Sequence, residues 1–77
     1  LNRGFMVFPN PMRERATVIL PEGIFTIELM DMSGRILRST GGCRSQYAID
    51  RSGLAPGQYT LRIRDVSGNS IIRLVVE

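Results

Sequence analysis

Glycine and proline interrupt this chain so often that few uninterrupted stretches are long enough for a full-length helix. Twelve of the 77 residues are glycine or proline, and both disfavour helix interiors. Between the interruptions, apolar and polar residues alternate with a period of two, which is typical of strands with one buried face. In the stretch 58–64, for example, Tyr59, Leu61 and Ile63 fall on one face. The sequence therefore predicts an all-β fold.

Seven such segments are predicted along the chain. They cover residues 5–8, 14–20, 25–30, 35–40, 46–50, 58–64 and 70–76. Seven short strands separated by turn residues are typical of an antiparallel, immunoglobulin-like sandwich. A five-stranded OB-type barrel is the alternative, and it requires two of these strands to be absent.

The predicted core takes the apolar face of these strands. It includes Ile27, Leu29, Tyr59, Leu61 and Ile63, and the aromatic residues Phe5, Phe8, Phe25 and Tyr47 are also expected at core-facing positions. With its aromatics inside, the domain has no evident stacking platform for single-stranded nucleic acid. Two further expectations are that Glu28 lies on the polar face of its strand and that Cys43 lies in a mobile loop at residues 41–44.

Two turns repeat the same four-residue pattern. Asp31-Met32-Ser33-Gly34 and Asp65-Val66-Ser67-Gly68 both separate predicted strands. The aspartate can accept backbone N–H bonds, and the glycine can take a left-handed conformation that side chains disfavour. The chain therefore contains two similar hairpins, with Gly34 and Gly68 at positive φ, and too few copies for a solenoid.

Charge and residue content exclude several kinds of site. A net charge of +3 and an isoelectric point near 10 bring nucleic acid, anionic lipid and acidic polysaccharide into consideration. The ten arginines are scattered, however, which favours solvated strand faces. The chain has no histidine, which excludes Ser-His-Asp and Cys-His sites. Its three aspartates stand at turn positions, so no catalytic residue, metal ligand or cofactor is predicted.

Four motifs occur in a fixed order along nearly the whole chain. They are Val7-Phe8-Pro9-Asn10-Pro11, Leu29-Met30-Asp31-Met32-Ser33-Gly34-Arg35-Ile36-Leu37, Leu54-Ala55-Pro56-Gly57-Gln58-Tyr59 and the apolar strand at residues 71–76. In this order they resemble the C-terminal sorting domain of the type IX (Por) secretion system. The chain departs from that family in having Phe8 for the usual tyrosine, Arg73 where lysine is common, and Glu77 as its last residue.

The resemblance implies a single sorting domain over residues 1–77, with residues 1–5 the end of a linker from an upstream cargo region. Such a domain directs its cargo from the periplasm of a Gram-negative bacterium through an outer-membrane type IX translocon to the cell surface or medium. A sortase-like peptidase then removes it, so the domain itself is a substrate and no enzyme. The implied sorting-motif residues are Pro9, Asn10, Pro11, Gly34, Arg35, Leu54, Gly57, Tyr59, Arg73, Leu74, Val75 and Val76.

Two other functions remain open from the residues alone. A carbohydrate-binding or structural accessory sandwich of a secreted hydrolase would need an exposed aromatic platform, and the chain has no tryptophan and two tyrosines. A basic nucleic-acid module would show steep salt dependence. Neither of these functions accounts for the order of the four motifs.

Overall fold

All seven strands predicted from the alternation are present in the computed structural model, which describes residues 4–77. They are β1 (Met6–Phe8), β2 (Arg15–Ile19), β3 (Phe25–Met30), β4 (Ile36–Cys43), β5 (Gln46–Asp50), β6 (Gly57–Asp65) and β7 (Gly68–Val76). Most bounds lie within a few residues of the predicted ones. Residues 1–3 of the predicted linker lie outside the described residues.

The strands form two antiparallel sheets. One has three strands in the order β1-β2-β5, and the other has four in the order β4-β3-β6-β7. No helix occurs in residues 4–77. Because all seven strands are present in two separate sheets, the five-stranded barrel does not describe the fold.

The core lies between the two sheets. The five residues first assigned to it, Ile27, Leu29, Tyr59, Leu61 and Ile63, are all buried, and none is more than 8% exposed. The three-stranded sheet contributes Ala16, Val18 and Ile49 to the same cluster. Burial of each large apolar side chain stabilises the fold by about 1.5–3 kcal/mol.

The prediction that Phe8 faces the core is wrong, because its side chain is 47% exposed. In β1 it is Val7 that pairs with the buried Val18 and packs against the core. Successive side chains of a strand point to opposite faces, so Phe8, which follows Val7, faces outward. Phe5, by contrast, is buried and meets Phe25 edge to face with ring centroids 5.4 Å apart.

The predicted loop at residues 41–44 is also wrong. Strand β4 continues through Gly41 and Gly42 to Cys43, which pairs with Phe25 of β3. Cys43 is 7% exposed, and this burial raises the pKa of its thiol. The chain instead turns between the sheets at Ser45, which has a φ of 62°.

Glu28 was expected on the polar, solvated face of β3, but it is 4% exposed. It does lie on the outer face of the sheet, and neighbouring side chains cover it there. Its carboxylate accepts hydrogen bonds from Arg62 at 2.6 Å and Arg64 at 3.3 Å. The hydrogen bond from Arg62 and the positive charges of both arginines lower the pKa of Glu28 against the opposing effect of burial. Glu28 is therefore part of a buried ion-pair cluster, whereas the sequence predicts a solvated side chain.

The Asp-x-Ser-Gly pattern occurs three times, so the prediction of two copies was incomplete. The third copy is Asp50-Arg51-Ser52-Gly53, between β5 and β6. In all three turns the aspartate Oδ1 accepts the serine N–H at 2.9 Å, and the glycine has a positive φ. The third copy joins strands of different sheets, so it forms a turn between the sheets and not a hairpin.

We expect Gly34→Ala to destabilise the fold by about 1–2 kcal/mol, because φ is +90° at this residue and a Cβ strains that conformation. A Cβ at this position would meet no atom within 4 Å, so the cost is backbone strain alone. Urea denaturation measures it. The matched control is Gly41→Ala, where a Cβ would make an ordinary contact at 3.7 Å with Thr26. Equal stability losses in the two variants would contradict the turn assignment.

Candidate recognition site

A short segment at residues 9–13, here called the strap, connects the two sheets at one flank of the sandwich. It follows β1 of the three-stranded sheet and runs along the outer edge of β7 in the four-stranded sheet. Pro9 and Pro11 lack N–H groups and cannot take part in a regular ladder at their own positions. Both X-Pro peptide bonds, Phe8-Pro9 and Asn10-Pro11, are cis.

Asn10 attaches the strap to β7 through its side chain. Its Oδ1 accepts the N–H of Val75 at 3.0 Å, and its Nδ2 donates to the carbonyl of Arg73 at 2.8 Å. The side-chain amide thus supplies one donor and one acceptor to the strand edge, as a backbone peptide group would. Aspartate, which is the same shape but has no donor when ionised, cannot satisfy both partners.

Met12 continues the attachment with its backbone. Its N–H donates to the carbonyl of Val75 at 2.8 Å, and its carbonyl accepts the N–H of Glu77 at 2.9 Å. Its side chain is fully buried in the core. Arg13 and Glu77 form an ion pair at 3.0 Å beyond it, but both side chains are exposed, and such pairs contribute little.

The third motif lies on the other side of β7. Gly57 pairs with Val76, and Tyr59 pairs with Leu74, because β6 and β7 are neighbours. The hydroxyl of Tyr59 donates to the carbonyl of Ala55 at 2.6 Å, and Leu54 is buried beside the core. Residues 9–11, 54–59 and 73–76 therefore meet at one end of the sandwich, and this region is called the motif junction below.

Gly34 and Arg35 belong to the same set of predicted residues but stand apart from the motif junction. They lie in or next to the turn between β3 and β4, two strands away from β7 in the sheet order. Arg35 pairs with Asp31 of its own turn at 3.3 Å. Hydrogen bonds from the Ser33 hydroxyl and the N–H of Arg35 lower the pKa of Asp31.

Met12 is the residue of this site that the sequence reasoning missed. It belongs to no predicted strand and to no motif, since it stands between a proline and a charged stretch. A lone apolar residue directly after a proline-rich break was the available indication. Its burial depends on the strap crossing to β7, which no local pattern predicts.

The exposed and buried members of the predicted set separate clearly. Pro9, Asn10, Pro11, Gly34, Arg35, Gly57 and Arg73 are exposed, whereas Leu54, Tyr59, Leu74 and Val76 are buried and Val75 is intermediate. Within residues 4–77, no group of three or more metal-ligating side chains comes together. In the same range no helix has the length and hydrophobicity to cross a membrane. In the motif junction, the exposed residues form part of the protein surface and the buried residues pack beneath them in the core.

We expect Asn10→Ala to lower the free energy of unfolding by about 1–2 kcal/mol, because two hydrogen bonds to β7 are lost at about 0.5–1.5 kcal/mol each and water replaces them in part. Amide hydrogen exchange at Val75 should accelerate, since its N–H loses its acceptor. Urea denaturation and exchange followed by NMR measure the two effects.

Asn69→Ala is the control for this variant. Asn69 is an exposed asparagine near the other end of β7, and exposed substitutions usually stay within about 0.5 kcal/mol. If Asn10→Ala left both stability and Val75 exchange unchanged, the strap would not be attached through this side chain.

A family model described as secretion system C-terminal sorting domain matches residues 6–77. A comparison with curated proteins found no match.

A solved structure is also similar to the chain. It belongs to a study of PorZ, described as an essential bacterial surface component of the type IX secretion system of Porphyromonas gingivalis. The sequences are 26% identical, and the TM-score is 0.82. The match covers 96% of this chain and 11% of that chain, so the likeness concerns one small part of a much longer protein.

Proposed function

Because the chain belongs to the family of secretion system C-terminal sorting domains, we propose that it brings an attached cargo protein to the outer-membrane type IX translocon and is then cut off. The domain is a sorting signal of type IX secretion. The observation that carries this function is the family match over residues 6–77, which includes the strap and all of β7. Such a domain marks its cargo for export and has no catalytic role.

The proposed route runs from the periplasm through the translocon to the cell surface or medium of a Gram-negative bacterium. Type IX components of the outer membrane bind the domain, and a sortase-like peptidase removes it. Exposed motif residues are the ones available for these contacts: Pro9, Asn10, Pro11, Gly34, Arg35, Gly57 and Arg73. Leu54, Tyr59, Leu74 and Val76 support the surface from the core.

We also propose that the sandwich is immunoglobulin-like. With its strands lettered A, B, C, C′, E, F and G in chain order, one sheet is A-B-E and the other is C′-C-F-G. In immunoglobulin-like sandwiches an added C′ strand joins the sheet of strands G, F and C. The strand order of this chain agrees with that arrangement.

The sequence predicts a linker over residues 1–5, and we propose that the linker ends before Phe5. Phe5 is buried against Phe25, and a flexible linker does not contribute to a core. Cleavage on the cargo side of Phe5 therefore releases an intact sandwich.

An accessory sandwich that binds carbohydrate has no comparable support. Tyr59 is buried, and Tyr47 packs against the core with its hydroxyl 3.1 Å from Thr40. Phe8 is the only phenylalanine or tyrosine among the exposed large hydrophobic residues of the described chain. One exposed ring does not make a platform.

A pulse-chase experiment tests the proposed route and removal. Residues 1–77 are fused behind a periplasmic reporter in a host with the type IX machinery. We expect the full-length fusion to appear first in the periplasm, and the reporter to appear outside later with a mass that lacks residues 5–77. A host without the translocon is the control. A reporter that is exported with the domain still attached would contradict removal, and the route would stand.

A further inference from the structure

The outer face of the four-stranded sheet gathers arginines that are scattered in the sequence. Arg62 and Arg64 point outward from β6, and Arg73 points outward from β7, because their neighbours Leu61, Ile63 and Leu74 are buried inward. Glu28 of β3 is on the same face. Three arginines against one glutamate leave two positive charges unbalanced on the described outward positions of β3, β6 and β7. This face therefore brings together arginines that are separate in the sequence, and they lie on a solvated strand face as the sequence predicts.

Ile71 lies at the centre of these arginines and is 58% exposed. It pairs directly with Arg62, and Arg64 is its diagonal neighbour on β6. Arg73 is two residues further along β7, so it lies on the same face. Direct and diagonal neighbours lie within reach of long side chains. The four residues Arg62, Arg64, Ile71 and Arg73 are called the Ile71 patch below.

Glu28 organises the patch without neutralising it. Its buried carboxylate holds Arg62 at 2.6 Å and Arg64 at 3.3 Å, so two of the three guanidinium groups are fixed before any partner arrives. The pKa of Glu28 is lowered by its hydrogen bond and ion pairs with these arginines, and the carboxylate stays ionised at neutral pH. Arg73 has no ion-pair partner among residues 4–77, and its side chain is free to meet a new carboxylate.

We propose that the Ile71 patch is a docking surface for an acidic protein surface that presents an apolar side chain between carboxylates. The inference rests on the proposed function, since it describes the chemistry of the surface that reads the domain during export. Charge complementarity steers and selects such a partner. Contact of the partner with Ile71 removes an exposed apolar side chain from water, which is favourable.

The composition of the patch favours a protein over a lipid surface or a nucleic acid. Membrane-surface binding uses many apolar side chains on one face, whereas this patch has one exposed isoleucine. Nucleic-acid binding to single strands uses aromatic stacking, and the patch contains no aromatic residue. Planar guanidinium groups suit bidentate pairing with carboxylates.

Export of the reporter fusion tests the proposal with two pairs of matched variants. Arg73→Glu reverses charge within the patch, and Arg44→Glu makes the same change at the turn between β4 and β5. Ile71→Thr removes the exposed apolar centre but keeps a β-branched strand residue. Met6→Thr removes an exposed apolar side chain at a 57% exposed strand position on the other sheet.

We expect Arg73→Glu and Ile71→Thr each to reduce the exported fraction by about tenfold, because each substitution weakens a complementary interaction with the partner surface. Arg44→Glu and Met6→Thr should be exported like the unaltered fusion. Thermal melting of each purified domain confirms that the variants compared are folded.

Several outcomes would overturn the inference. Normal export of folded Arg73→Glu would exclude the charge requirement, and equal losses for Arg73→Glu and Arg44→Glu would assign the effect to net charge. Sedimentation of the domain with phosphatidylglycerol vesicles that depends on Arg73 but not on Arg44 would assign the patch to lipid. If the unaltered fusion stays in the periplasm, it is the proposed function that fails.

Discussion

Deletion of residues 1–77 from the protein that carries them is expected to leave the cargo folded but retained in the periplasm. The reason is that residues 4–77 contain a buried apolar core of their own. A domain with its own core folds independently of its neighbours, so the upstream cargo loses no packing with the deletion. The deletion removes only the sorting signal from the cargo.

Cell fractionation with an activity or antibody assay for the cargo measures this result. In the converse experiment, residues 1–77 are transferred to a periplasmic reporter, which should then reach the surface or medium in a host with the type IX machinery. A domain carrying Leu61→Ala is the control for folding. If the cargo without residues 1–77 still reached the cell surface at the normal level, the sorting function would be refuted.

Leu61→Ala is expected to be among the most destabilising single substitutions in the core. Leu61 is fully buried in β6, between β3 and β7, and a buried leucine-to-alanine change costs about 2–5 kcal/mol in lost burial and cavity formation. A single core in a chain of this size rarely supplies more than about 3–5 kcal/mol in total. Much of the variant should therefore be unfolded at 37 °C.

Urea denaturation followed by circular dichroism measures the loss. Leu37→Ala is the matched control, because Leu37 is also a strand leucine but is 36% exposed on the edge strand β4. We expect its cost to be below about 1 kcal/mol, in line with partial exposure. Similar values for the two leucines would show that the core does not lie between the sheets as described.

Leu61→Ala also separates folding from recognition. The buried residues of the motif junction belong to the same core, so unfolding of the domain also destroys the arrangement of the motif residues. If Leu61→Ala remained fully exported at a temperature where the purified domain is unfolded, the translocon would read a linear motif. The strap and β7 would then contribute as sequence alone.

The seven strands were predictable because strand patterning is local. Alternation places Tyr59, Leu61 and Ile63 on one face in any context in which the segment is extended. The Asp-x-Ser-Gly turns are local for the same reason, since the aspartate carboxylate and the serine N–H are two residues apart. Their geometry is contained within a few residues of sequence.

The motif residues could be named from the sequence by family resemblance, but their arrangement could not. Asn10 and Val75 are 65 residues apart, and they meet because the strap crosses from one sheet to the edge of the other. Gly34 and Arg35 belong to the same set of motifs and yet lie two strands away. Order along the chain does not distinguish these two situations.

What the sequence determined by itself is the all-β class, the faces of strands with a long alternating pattern such as β6, and the turn chemistry, because each depends on residues close together in the chain. The tertiary structure alone decided which face of β1 turns inward, that Glu28 is buried under two arginines, and that Arg62, Arg64 and Arg73 surround Ile71. These features depend on strand register and sheet order. Register and order are set when the two sheets pack, since side chains distant in sequence become neighbours only at that step.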